Sequence, residues 1–187
     1  MTFWDTIAED LRAARVVPAG PLSRSALLYR LLWCSFFKPP VMCVFWYRVN
    51  RRLFENRRFL LASLLSARRR YWFANDISYK ARIGAGLYIP HLSDIVIGPK
   101  VEIGSRATIL NGVTVGTVPF VRDKKQRPVV GDHVFIGTGA KVLGGIRIGD
   151  HVTISALSLC TRDVPSQSIF FGIPPNHKIW TEQSEEK

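Results

Sequence analysis

The sequence predicts a mainly β chain: a parallel β-helix of hexapeptide repeats, preceded by an α-helical extension. Two observations carry this prediction. From residue 77 onward aliphatic residues recur every six positions, and before that point apolar residues recur at three to four, interrupted by prolines. The formal charge of +12 is also uneven: residues 1–75 hold 13 Lys/Arg against 4 Asp/Glu, and residues 76–187 hold 13 against 10. The basic surplus belongs to the extension, and a surface of that sign attracts phosphates, nucleic acid or anionic lipid.

In chain order, residues 3–17 and 22–37 are expected as short helices, with breaks at Pro18-Ala19-Gly20-Pro21 and at Pro39-Pro40. The segment 41–73 interleaves tryptophan, phenylalanine and leucine with Arg48, Arg51, Arg52, Arg57, Arg58, Arg68, Arg69 and Arg70. Arginine beside aromatics at helical spacing describes an interfacial amphipathic helix, so 27–73 is a candidate for membrane-surface contact. The competing reading docks these apolar faces on the following domain or a neighbouring subunit. No nucleic-acid-binding module accompanies the basic residues, so no nucleic acid is expected. The stretch 27–47 is divided by Arg30, Lys38 and the proline pair into pieces too short to span a bilayer. The first fifteen residues lack a signal-peptide layout, and Cys34, Cys43 and Cys160 form neither a disulfide framework nor a zinc pattern. A cytoplasmic protein, peripheral on the inner face of the bacterial membrane, is the expectation, with the cysteines as packing residues.

The six-residue period runs through Ile77, Ile83, Ile89 and Ile95; after a two-residue slip through Ile97, Ile103, Ile109 and Val115; and after an interruption through Val130, Ile136, Val142, Ile148 and Ile154. Four residues after most of these stands a small or apolar residue, such as Ala81, Val101, Ala107, Val134 or Ala140. A short strand ending in a tight corner points one aliphatic inward per face, and the small residue leaves room where three faces converge. The expected division is an extension over 1–74, a β-helix over 75–165 with a loop insertion at 117–128, and a C-terminal cap and tail over 166–187.

The runs DISYKARIGAGLYIPHLSDIVIG, ILNGVTVG, GDHVFIGTGAKVLGGIRIGDHVTI and FGIPPNHKI resemble the hexapeptide acyltransferases. They are closest to the serine acetyltransferase-like branch, in particular to acetyltransferases of exopolysaccharide and capsule synthesis of the colanic acid type; EDLRA at 9–13 adds a weaker match to the latter. The similarity covers about residues 75–180. It implies a left-handed β-helix assembled as a homotrimer, with acetyl-CoA in the groove between adjacent subunits. It also implies His91 as catalytic base, with Asp76, fifteen residues earlier, as its orienting partner.

An alcohol is a poor nucleophile at neutral pH, and imidazole titrates in the range where it can take the proton. A carboxylate on the other ring nitrogen fixes the tautomer. The same resemblance assigns Gln126, Arg127 and Asp94 to the acceptor, and Gly116, Gly139, Ala140, Lys141, Ala156 and Lys178 to the coenzyme. Direct transfer in a ternary complex is expected, since no activated Ser or Cys nucleophile is evident.

Two departures bear on the acceptor. Pro90 stands where the serine enzymes have an aspartate for the substrate ammonium, and Gln126-Arg127-Pro128 stands for their Arg-His-Pro. These favour a sugar or lipid-linked glycan hydroxyl, with serine O-acetylation as the alternative and a noncatalytic scaffold as a rival of another class. His133 and His151, equivalent in two GDHV repeats, are expected to stack on one outer face as structural residues. The histidine positions offer no three-ligand zinc set, so no metal is expected.

Overall fold

The computed structural model describes residues 1–117 and 127–172. Four helices come first. α1 (Phe3–Ala13) starts in a capping box in which the Thr2 side chain accepts from the Asp5 amide and the Asp5 carboxylate accepts from the Thr2 amide. α2 (Arg24–Phe37) is capped by Ser23, whose hydroxyl accepts from the Ala26 amide at 3.2 Å. Only Lys38 separates it from α3 (Pro39–Glu55), and α4 (Phe59–Phe73) follows. The proline pair thus opens a helix, where a proline's missing N–H costs nothing.

The single interfacial helix expected over 41–73 is instead two helices, divided at Asn56-Arg57-Arg58, where Arg57 adopts φ 59°. Nor do all its arginines face solvent: Arg48 and Arg69 are buried. The Arg48 guanidinium donates to Asp10 of α1 and to the carbonyls of Ile83 and Gly84, and Arg69 donates to Asn75 and to the Ile77 carbonyl. The carbonyls at the exposed edge of the first coil need donors, and these two side chains supply them.

The remaining described chain is a parallel β-helix of three faces. The first face stacks β1 (Asp76–Ile77), β3 (Val96–Ile97), β6 (Thr114–Gly116), β9 (Lys141–Leu143) and β12 (Leu159–Cys160). The second stacks β2 (Arg82–Ile83), β4 (Glu102–Ile103), β7 (Val129–Val130) and β10 (Arg147–Ile148), and the third β5 (Thr108–Ile109), β8 (Phe135–Ile136), β11 (Thr153–Ile154) and β13 (Ile169–Phe170). Every strand pair is parallel. In most strands the first residue points out and the second in. All thirteen aliphatics of the six-residue period lie in one continuous buried core, and Cys43, Val44 and Tyr47 of α3 join it from below. The helical layer therefore closes the first coil. The three cysteines are free and buried, as packing residues are.

The coil length is not constant. Val96 pairs with Thr114 and Lys141 with Leu159, a step of 18 residues each, whereas Asp76 pairs with Val96 at 20 and Thr114 with Lys141 at 27. The two extra residues fall between Tyr88 and β3, at the corner joining the third face to the first; the nine extra fall between the first and second faces. At the remaining corner Gly86, Arg106, His133, His151 and Gln167 all have positive φ. There the His133 and His151 rings stack at 4.6 Å with an interplanar angle of 7°, the structural arrangement expected for them.

Candidate active site

The enlarged corner of the first coil carries Pro90, His91, Leu92, Ser93 and Asp94. Its backbone is held to the chain below by the Asp94 amide donating to the Ala74 carbonyl at 3.1 Å and the Asp76 amide donating to the Ile95 carbonyl at 2.8 Å. Asp94 adopts φ 57° to turn the corner. His91 is exposed. Asp76 heads the first face one coil edge below, with its side chain half exposed and 3.4 Å from Arg70 Nη1. Among the described residues no hydrogen bond joins Asp76 to His91, and the carboxylate is turned to Arg70 instead.

Above His91 the same corner continues upward. Gly112 donates to Ser93, Gly139 to Asn111 and Leu157 to Thr138, and Gly112, Gly139 and Leu157 share the positive φ of Asp94. Of the residues assigned to the coenzyme, Gly139, Ala140, Lys141 and Ala156 lie on or beside this column. Neighbouring coils are spaced about 4.8 Å apart, so the column rises roughly 15 Å from His91 to Ala156. Ala140 is buried and Ala156 exposed. The Lys141 ammonium is not free to roam: it donates to the Gly112 carbonyl at 2.6 Å and the Thr114 hydroxyl at 3.1 Å. Asn111, which accepts from the Thr138 hydroxyl at 3.2 Å, belongs to this column too. Its phase in the repeat, one coil above Ser93, marks it.

Gly116 and Arg127 lie at the other edge of the first face. A Cβ built at Gly116 would meet nothing within 4 Å among the described residues, so that edge is open to them. Arg127 donates to the Pro99 carbonyl at 3.0 Å. Within one chain a whole face separates Arg127 from His91, and the structure does not bring the two together. Gln126, Lys178 and most of the loop 117–128 lie outside the described residues.

A groove of about 610 Å³ adjoins the His91 corner. Ser35 of α2, Met42 and Trp46 of α3, Trp72 of α4, and Leu92 and Ser93 line it. It is formed by helix ends distant in sequence, and no local pattern announces it. No group of three or more His, Cys, Asp or Glu side chains suited to a metal ion occurs among the described residues.

A triangular coil built of six-residue steps is the architecture of hexapeptide repeats, and the family model for bacterial transferase hexapeptide (six repeats) matches residues 127–162. The serine acetyltransferase of Helicobacter pylori is 35% identical over 158 residues, covering 84% of this chain and 89% of that protein. That of Staphylococcus epidermidis is 37% identical over 126 residues, covering 67% of this chain and 59% of its own. Among solved structures, soybean serine acetyltransferase without ligand superposes with a TM-score of 0.78 at 32% identity, over 92% of this chain and 67% of that one.

The chain belongs to the hexapeptide-repeat acyltransferases, in the family of the serine acetyltransferases, and its β-helix is left-handed. It spans only 59% of the length of the Staphylococcus relative. These relatives are serine enzymes, so the finer resemblance to the exopolysaccharide type gains no support from them.

Proposed function

We propose that this protein transfers acetyl from acetyl-CoA to a hydroxyl, with His91 as general base. The imidazole takes the hydroxyl proton as the oxygen attacks the thioester carbonyl carbon. The tetrahedral oxyanion collapses, the C–S bond breaks, and the departing sulfur receives the proton from the imidazolium, leaving an ester and free coenzyme A. Asp76, by leaving Arg70 for the ring, orients the imidazole and stabilises its cation. The carrying observation is the exposure of His91 at the foot of a corner column that continues through Gly139, Ala140 and Ala156, the residues proposed to meet the coenzyme.

L-Serine is the acceptor that the named relatives support. A sugar hydroxyl is the second reading, favoured by Pro90 in place of an aspartate and by Gln126-Arg127-Pro128 in place of Arg-His-Pro. Arg127 and Gly116, a face away from His91, support a site completed by a neighbouring subunit of a trimer, whose open edge would supply them.

The test is thiol release from acetyl-CoA with L-serine and, separately, with polysaccharide repeat units. His91→Ala is expected to lose about 10²–10⁴-fold in turnover while coenzyme A still raises its melting temperature. Full activity in His91→Ala overturns the mechanism, and turnover of glycan alone replaces the acceptor.

A further inference from the structure

Two helices of the extension are apolar on the side turned away from the other described residues. α2 turns Leu27, Leu31 and Cys34 inward, and on its opposite side Leu28, Leu32 and Phe36 are 54%, 63% and 75% exposed. α4 turns Ala62, Ser66 and Arg69 inward, and Leu60, Leu64 and Tyr71 are 74%, 60% and 87% exposed. A helix apolar all round is normally covered, and exposed apolar area of this extent marks an interaction surface.

Charge identifies the cover. Neither helix contains an acidic residue, and between residues 22 and 75 eleven Lys/Arg stand against Glu55 alone. Arg24, Arg30, Lys38, Arg57, Arg58 and Arg68 are exposed at the flanks of the apolar faces and at the helix ends. A second copy of this chain would present the same positive charge to itself, whereas anionic lipid headgroups complement it. The aromatics suit that boundary: Trp33 and Trp72 are 41% and 50% exposed, and the Arg68 guanidinium lies 4.5 Å from the Trp72 ring centroid. No described helix is long and apolar enough to cross a membrane, which leaves contact in the plane of the interface.

We propose that α2 and α4 dock this protein onto the surface of an anionic bilayer. The groove lined by Ser35 and Trp72 continues from these helices to Leu92 and Ser93, so the docked face adjoins the His91 corner. The proposal stands whichever acceptor the reaction uses.

The experiment is co-sedimentation of the full chain with vesicles of phosphatidylethanolamine and phosphatidylglycerol, against vesicles of phosphatidylcholine alone. Anionic vesicles are expected to take up at least about tenfold more protein, with an advantage that fades at high salt. Phe36→Glu with Leu60→Glu is expected to abolish binding while coenzyme A still raises the melting temperature. Arg58→Gln with Arg68→Gln, both on exposed side chains, lowers partitioning roughly 30-fold and keeps the test decisive if the first pair misfolds. Equal uptake by both vesicle types overturns the proposal. So does a Phe36→Glu, Leu60→Glu protein that binds lipid as before but sediments as a smaller oligomer, since the face then belongs to a second copy.

Discussion

Replacing Asp10 by alanine tests how the helical layer is fastened to the β-helix. The Asp10 carboxylate is buried and accepts four hydrogen bonds: from Arg48 Nε at 2.9 Å, from Arg48 Nη2 at 3.0 Å, and from the amides of Gly86 and Leu87 at 2.9 Å each. Its removal strands a guanidinium only 6% exposed and leaves two buried amides without an acceptor. Breaking a buried pair from one side costs about 3–5 kcal/mol. The bonds that Arg48 keeps to the Ile83 and Gly84 carbonyls hold the loss near the lower figure. In a chain of this size that is a fall of roughly 10 °C in melting temperature. The assay is urea unfolding at fixed protein concentration, followed by circular dichroism. Adding Arg48→Met to Asp10→Ala removes the stranded charge and is expected to return about 2 kcal/mol, measured as coupling in a double-mutant cycle. A loss below about 1 kcal/mol for Asp10→Ala, or strictly additive effects, would refute the idea that this pair fastens the two layers.

Further outcomes follow from the same geometry. Asp76→Asn is expected to lower turnover less than His91→Ala and to leave melting nearly unchanged, because the Asp76–Arg70 pair is half exposed and contributes little; a loss equal to that of His91→Ala would make Asp76 more than an orienting group. A Cβ at Gly84 would lie 2.6 Å from the Gly104 carbonyl carbon and the Ser105 nitrogen on the next coil, so Gly84→Ala should cost about 1–3 kcal/mol. Gly116→Ala, whose added methyl meets nothing within 4 Å among the described residues, should leave stability alone and raise the KM for acetyl-CoA if that edge receives the coenzyme. Burial pushes the Cys43 thiol and the Tyr47 phenol up, against the pull of Arg69 on the first and of Arg48 on the second. Both groups hold their protons in the fold where the unfolded chain has released them, so their contribution is complete below the ordinary values and is lost as pH rises past them. Melting temperature should therefore fall above about pH 9–10, and less steeply in a Cys43→Ala, Tyr47→Phe protein.

The β-helix was legible because its rule is arithmetic: one inward aliphatic per six residues, from Ile77 to Ile154, all of them buried. The slip between Ile95 and Ile97 and the break after Val115 likewise appear as the 20- and 27-residue coils. The helical layer was less legible. Arg48 and Arg69 read as part of an interfacial basic face because local periodicity cannot tell that Asp10 and the carbonyls of Ile77, Ile83 and Gly84 await donors. The division at Arg57 was missed because arginine is an unusual residue at positive φ. At the site, the repeat phase marks the corner of His91 and the column above it. The turn of Asp76 toward Arg70 and the groove beneath Trp46 and Trp72 depend on how the helices pack, which no spacing encodes.

The unequal coils carry a lesson for design. Strands above and below the two lengthened corners remain stacked in parallel register, so additional residues there are absorbed without disturbing the scaffold. Such corners are natural grafting points, where foreign segments can be inserted while the aliphatic prism beneath stays as it is.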